Sequence, residues 1–185
     1  MDWSKYLDAN HTFVIDSTVF SDHFNHTEFV SQKCKDAIVD QFRTRTGQRP
    51  SIDKDRPDVR INIHIHNDQC TVSLDTSGNS LHQRGYRTAT NIAPINEVLA
   101  AGMLLLSGWE GQGHFIDPMC GSGTILAEAA MIACNIPANL NRKEFAFEKW
   151  IDWDNDLFDQ ITDSLLKKVK EFHYTIQGHD KAPSA

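Results

Sequence analysis

The 185-residue chain lacks the long apolar runs, cysteine density and basic excess that would assign it quickly to a class. No stretch approaches the ~18 consecutive apolar residues of a membrane span, and no secretory apolar segment follows Met1-Asp2-Trp3-Ser4-Lys5. A cytoplasmic protein without membrane contact is expected. Its four cysteines, Cys34, Cys70, Cys120 and Cys134, have neither the number nor the paired spacing of a disulfide framework or zinc site. A formal net charge of -7 argues against a protein that binds nucleic acid over its whole surface. Low-complexity tracts are also missing, so the chain should fold, as one sizeable core or two small domains.

The charge that is present is unevenly placed. Arg43, Arg45, Arg49, Lys54, Arg56 and Arg60 outnumber the nearby Asp53, Asp55 and Asp58, whereas Glu144, Glu148, Asp152, Asp154, Asp156, Asp159 and Asp163 have only Lys149 among them. RNA could meet the first window and should avoid the second. Arg43 and Arg45 read equally well as a solvated helix end that complements the helix dipole.

Residues 10–20, which include Thr12-Phe13-Val14-Ile15-Asp16, suit a strand. Thr27 can cap a helix whose apolar face is Val30, Cys34, Ala37, Ile38 and Phe42, with Gly47 ending it. Pro50 and Pro57 bracket a loop. Val59, Ile61, Ile63 and Ile65 then alternate with polar residues as in a half-buried strand, and Cys70 to Leu74 returns as its partner after a turn at Asn67-Asp68. His64 and His66 share a polar face, but the spacing supplies no third ligand and no metal site is expected.

Gly78 marks the exit from this region. A positively charged connector, His82 to Arg87, leads to a helix from about Pro94 to Ser107, with Ile95, Val98, Leu99, Met103 and Leu106 along its apolar side. Tyr86 reads either as a ligand neighbour or as an aromatic packed at a hinge. Beyond Asn135 lies an irregular span whose Phe145, Phe147, Trp150 and Trp153 favour packing over base stacking, because the acids around them repel phosphate. Another amphipathic helix follows, from Leu157 to Val169.

The centre of the chain is Asp117-Pro118-Met119-Cys120-Gly121-Ser122-Gly123-Thr124. Phe115 and Ile116 suit a short strand that Pro118 ends, and Thr124 to Cys134 suits a helix. Strand, glycine turn and helix together present backbone N–H groups to an anionic or polar ligand. Leu126 stands where a dinucleotide fingerprint requires its third glycine, and no Gly-Lys-Ser/Thr is present, so dinucleotides and nucleoside triphosphates are poor fits. The acid at the strand exit could accept from a ligand ammonium or a ribose hydroxyl.

This segment resembles motif I of S-adenosylmethionine-dependent methyltransferases, in the form typical of THUMP-containing RNA methyltransferases. The similarity is greatest to bacterial enzymes that methylate guanine N2 in 23S ribosomal RNA, a group often labelled N6-adenine-specific DNA methylases. His82-Gln83-Arg84-Gly85-Tyr86-Arg87, Ala93-Pro94-Ile95-Asn96-Glu97 and Phe145-Ala146-Phe147-Glu148-Lys149-Trp150 also resemble stretches of that family. So do Lys35-Asp36-Ala37-Ile38-Val39-Asp40, Gly47-Gln48-Arg49-Pro50 and Pro57-Asp58-Val59-Arg60-Ile61-Asn62, which look like the latter part of a THUMP domain.

The resemblance implies an α/β chain, with a partial THUMP-like RNA-binding domain over 1–80. The N-terminal part of a Rossmann-like methyltransferase domain then fills 81–185, truncated after its second strand. S-adenosylmethionine is the implied cofactor, held by Asp117, Pro118, Cys120, Gly121, Ser122, Gly123 and Thr124. Asp180, after a strand at Tyr174-Thr175-Ile176, takes the place of the acid that binds the ribose. RNA, most specifically 23S ribosomal RNA, is the implied partner, with Arg43, Arg45, Arg49, Arg84 and Arg87 as candidate contacts.

The family also has a preceding ferredoxin-like portion and a later Asn/Asp-Pro-Pro-aromatic motif for the acceptor. None of the six prolines here is adjacent to another. A catalytically inactive piece of an active parent is therefore expected, with no catalytic residue of its own, and dimerisation is one way to cover its open sheet edge. A noncatalytic RNA-binding adaptor and an adenine-N6 DNA methyltransferase are the alternative readings.

Overall fold

The computed structural model describes residues 1–87 and 94–181. Ala93, quoted for the family resemblance, lies outside them. Two units divide the chain: Met1–Asn79 with Glu144–Asp154, and Ser80–Lys143 with Asn155–Ala185.

The first unit is a four-stranded sheet with a helix packed on it. Strand β1 (Thr12–Phe20) falls within the strand expected over 10–20, and helix α1 spans Thr27–Thr46. Strands β2 (Ser51–Ile52), β3 (Val59–His66) and β4 (Gln69–Leu74) complete the order β2-β1-β3-β4. β1 and β3 are parallel from Phe13↔Val59 to Phe20↔His66, and β4 returns antiparallel. Asn67 makes that return possible with φ 52°, a left-handed conformation asparagine tolerates.

The alternation read in β3 is the burial pattern found. Val59, Ile61, Ile63 and Ile65 are all buried and join Phe13, Ile15, Val30, Ile38 and Phe42 in one core. Burying each such side chain is worth roughly 1.5–3 kcal/mol over leaving it in water. On α1, Cys34 is half-buried and Ala37 exposed. Thr27 is the first helical residue and not the cap; His26 precedes it with no side-chain cap bond, while Gly47 at φ 72° ends the helix as expected.

The aromatic span rejoins this first unit. Trp150 packs against its core, Phe145 and Phe147 stack 5.0 Å apart, and Phe147 donates its N–H to the Thr76 carbonyl. These rings are used in packing.

In the second unit, helix α2 (Glu97–Leu106) is capped by Asn96, whose Oδ1 accepts from the Val98 and Leu99 N–H groups. Strand β5 (Phe115–Asp117) leads to helix α3 (Thr124–Cys134); helix α4 (Asn155–Leu166) and strand β6 (Ile176–Gly178) follow. β5 and β6 pair in parallel, Phe115↔Ile176 through Asp117↔Gly178.

Two expectations change here. The apolar side expected of α2 faces outward: Val98, Leu99 and Met103 are about half exposed and Leu106 is 91% exposed. Its buried side is Glu97, Ala100 and Leu104, and α2 packs against α3. A helix with apolar residues on every side carries no periodicity that selects one face, and small Ala100 permits a closer approach than the leucines do. β6 begins two residues later than read, because Thr175 is engaged by a side chain. Its N–H donates to His114 Nδ1 at 3.1 Å, and its hydroxyl lies 2.7 Å from the same nitrogen.

Leu104, Trp109, Ala129 and Ala133 form the core of this unit, with Phe115, Ile125, Phe172 and Ile176 against it. On α4, Leu157, Ile161, Leu165 and Leu166 are all 41% exposed or more. Among the described residues no helix is long and apolar enough to cross a membrane.

Candidate functional site

At the end of β5 the chain cannot continue its ladder, because Pro118 has no N–H. Asp117 turns it instead: Oδ1 accepts the Met119 N–H at 3.0 Å. Asp117 Oδ2 is buried and has no hydrogen-bond partner among the described residues. A buried carboxylate oxygen left unpaired is costly, which marks this atom as a place where a donor belongs.

The exit of β6 is fastened to the same turn. The His179 N–H donates to the Asp117 carbonyl at 2.8 Å and the Cys120 N–H to the His179 carbonyl at 3.0 Å. One residue on, the Gly121 N–H donates to Asp180 Oδ2 at 2.9 Å. Two strand ends and the glycine turn thus converge, with Asp117 and Asp180 as their acids.

Gly121 (φ 51°) and Gly123 (φ 77°) both take left-handed conformations that a side chain penalises. Above Gly121 is open space, where an added Cβ meets nothing within 4 Å. Pro118 and Ser122 are exposed at the rim, Cys120 is half-buried, and Thr124 is buried at the first position of α3. The turn therefore presents the start of α3 and two carboxylates to one open surface, while the Gly121 and Gly123 N–H groups are engaged by Asp180 Oδ2 and the Cys120 carbonyl.

Arg84 and Arg87 occupy a different environment from the one expected of RNA contacts. Arg84 is buried, its Nε 3.4 Å from Glu128 Oε1, and Glu128 is only 2% exposed. Arg87 donates through Nε to Glu97 Oε1 at 2.5 Å and through a terminal nitrogen to Thr124 Oγ1 at 2.8 Å and the Ile95 carbonyl at 2.9 Å. Both guanidinium groups are neutralised inside this unit, which removes them as free phosphate ligands. Tyr86 donates its hydroxyl to Glu128 Oε1 at 3.1 Å. Burial pushes the Glu128 carboxyl above the usual carboxylate range, opposed by Arg84 and Tyr86; burial and then the Glu128 charge push the Tyr86 phenol upward as well.

The remaining arginines stay at the surface. Arg43 pairs with Asp40 at 2.9 Å, Arg45 with Asp2 at 2.6 Å, and Arg49 is exposed in the loop after α1. Exposed pairs of this kind are weak enough to be exchanged for phosphate.

Sequence reading missed Glu97 and Glu128, the anions of the buried cluster. A lone glutamate inside the apolar and alanine-rich α3 was the available signal, since an unpaired buried carboxylate is too costly to keep.

Residues 84–185 match the profile described as RMKL-like, methyltransferase domain, and residues 1–75 match the THUMP domain profile. The ribosomal RNA large subunit methyltransferase K/L of Syntrophotalea carbinolica is 43% identical over 170 residues, 90% of this chain and 24% of that protein. Its counterpart in Pseudoalteromonas atlantica is 44% identical over 182 residues, 97% of this chain and 26% of that protein. The crystal structure of SMU.472, a candidate methyltransferase complexed with SAH, superimposes with a TM-score of 0.86 at 34% identity, covering 98% of this chain and 48% of that one. The chain spans about a quarter of the length of these two curated relatives.

Proposed function

The chain belongs to the RMKL-like methyltransferase-domain family and carries a THUMP domain, and from that premise we propose that its full-length parent methylates ribosomal RNA with S-adenosylmethionine. The observation that carries this reading is the convergence of Asp117, Asp180 and the two left-handed glycines on one turn. The name those relatives carry supports a large-subunit RNA substrate, and the family resemblance supports guanine N2 of 23S RNA as the acceptor, in the cytoplasm.

The residues present fit this cofactor. Among the described residues Asp117 Oδ2 is a buried acceptor without a donor, suited to an ammonium group. Gly121 leaves room for close approach; its N–H and that of Gly123 are engaged by Asp180 Oδ2 and the Cys120 carbonyl, so the N–H groups of Ser122 and Thr124 at the start of α3 are the ones that suit a carboxylate. Asp180 is the acid for ribose hydroxyls, already within hydrogen-bond distance of the turn. Pro118, Cys120 and Ser122 complete the rim. S-adenosylmethionine, when bound, supplies an electrophilic methyl carbon on a sulfonium. The part played by these side chains is to bind and orient, so that the acceptor nitrogen meets the methyl in line, and to keep water away.

RNA meets the first unit in this reading, through Arg43, Arg45 and Arg49 at the C-terminal end of α1 and the loop beyond it. Positive charge there steers the phosphate backbone, while the acids between Glu144 and Asp163 repel it.

Isothermal titration with S-adenosylhomocysteine tests the cofactor part. Binding that weakens about 10- to 100-fold in both Asp117→Ala and Asp180→Ala supports it, the range corresponding to loss of a charge-assisted hydrogen bond. Equal affinity in both variants refutes it. Transfer of labelled methyl by the full-length parent to undermethylated ribosomal RNA, and not to DNA, tests the acceptor.

A further inference from the structure

We infer that Arg87 is a positioning residue for the glycine turn, holding the first residue of α3 in place through the Thr124 hydroxyl. This rests on the cofactor reading above for its functional consequence, but its structural content is independent of it.

Three observations carry the inference. Thr124 directly follows Gly123, and its hydroxyl receives a 2.8 Å bond from a terminal Arg87 nitrogen. Thr124 is 3% exposed, so water cannot replace that donor. Arg87 is itself held from two other sides, by Glu97 Oε1 and by the Ile95 carbonyl, both at or before the start of α2. A planar guanidinium with three fixed acceptors has little freedom left. The start of α3 is thereby tied to the start of α2, with Gly123 as the flexible residue between the tie and the ligand-facing turn.

Glu128 supplies a second tie four residues along α3, to Arg84 and Tyr86. The segment 84–87 thus grips α3 at two points one turn apart. Neither glycine can stiffen the turn by itself, because glycine is the residue with the most backbone freedom to lose. Rigidity must come from outside: the exit of β6 holds the turn at Cys120 and Gly121, and this connector holds the start of α3 beyond Gly123. A preorganised turn binds its ligand without first losing that freedom.

Arg87→Met alone is a poor test, since it also leaves Glu97 buried without its cation. The Thr124 pair separates the effects. Thr124→Ser keeps the hydroxyl, and Thr124→Val keeps the shape without it. Hydrogen exchange in the ligand-free chain should show the Ala127 and Glu128 amides exchanging about tenfold faster in Thr124→Val. Thr124→Ser should restore the wild-type rate, and amides of β3 should not change in either variant. Combining Thr124→Val with Arg87→Met should add little beyond Arg87→Met, because the two remove the same bond. Unchanged exchange in Thr124→Val, or full additivity in the pair, overturns the inference.

Titration with S-adenosylhomocysteine gives the functional arm. If the wild type binds and Thr124→Val binds about tenfold more weakly while Thr124→Ser does not, positioning reaches the ligand. Equal binding by wild type and Thr124→Val overturns that consequence. A wild type that binds nothing counts against the cofactor reading, whereas the exchange result still decides the role of Arg87.

Discussion

The Gly121 N–H donates to Asp180 Oδ2, an acid that lies 59 residues further along the chain. This bond joins the exit of β6 to the turn after β5, and it uses a carboxylate proposed to hold ribose hydroxyls. A charged acceptor on a backbone N–H is worth about 1.5–3 kcal/mol when buried and less at an exposed site such as this. Asp180→Asn should therefore keep the fold and most of the stability while weakening S-adenosylhomocysteine by about tenfold, read by calorimetry beside thermal unfolding. A large fall in melting temperature with unchanged affinity would make Asp180 a structural residue only.

Gly178 leaves no room for a side chain. An added Cβ would collide with Leu126 Cδ1 and Cys120 Sγ, which can rotate away, and would stand 2.9 Å from Cys120 Cβ, which moves only with the turn. Gly178→Ala should destabilise the second unit by about 1–3 kcal/mol, measured by urea unfolding, and should weaken cofactor binding together with stability.

The faces of α2 give a sharp comparison between two leucines. Leu104 is 4% exposed and Leu106 is 91% exposed. Leu104→Ala should cost about 2–5 kcal/mol and Leu106→Ala no more than about 0.5 kcal/mol in the same unfolding experiment. The reverse ranking would restore the outward face as the core.

Asp75 makes part of the first unit's stability depend on pH. Burial works against its charge, but the Gly78 N–H and the Ser77 hydroxyl and N–H more than offset it and hold the carboxyl below the usual carboxylate range. A depressed pKa means the unfolded chain takes up the proton first. The stabilisation is complete above the ordinary value of 3.8 and fades as pH falls from there through the folded value. Asp75→Asn should be less stable than wild type at pH 7, and the gap should close on acidification below about pH 4. A gap that stays constant with pH would remove the charge from the explanation.

Replacing Arg43, Arg45 and Arg49 by glutamine together should weaken RNA binding in a filter or fluorescence assay. The slope of log affinity against log salt should fall by about 0.7–0.9 for each phosphate that is no longer neutralised. An unchanged slope would move the RNA surface elsewhere.

The sequence made some elements plain and hid others, for physical reasons. β3 was legible because a strand with one wet face must alternate, and Val59 to His66 does so without interruption. The turn and α3 were legible because Pro118, Gly121 and Gly123 each restrict or free the backbone in a way few structures use. The buried face of α2 was not legible, since Val98, Leu99, Met103 and Leu106 are as apolar as Ala100 and Leu104. The connector was read as positively charged, and the family resemblance offered Arg84 and Arg87 as RNA contacts; in the structure they meet Glu128 and Glu97. Pairing across 44 and 10 residues leaves no local pattern, and only the fold brings those partners together.

The most direct test of the central claim is an amide NMR titration of the chain with S-adenosylhomocysteine. Saturable shifts at Gly121, Gly123 and Asp180, absent from the strands of the first unit, are the predicted result. Saturable shifts confined to other residues, or none at all, would contradict a cofactor seated over this turn.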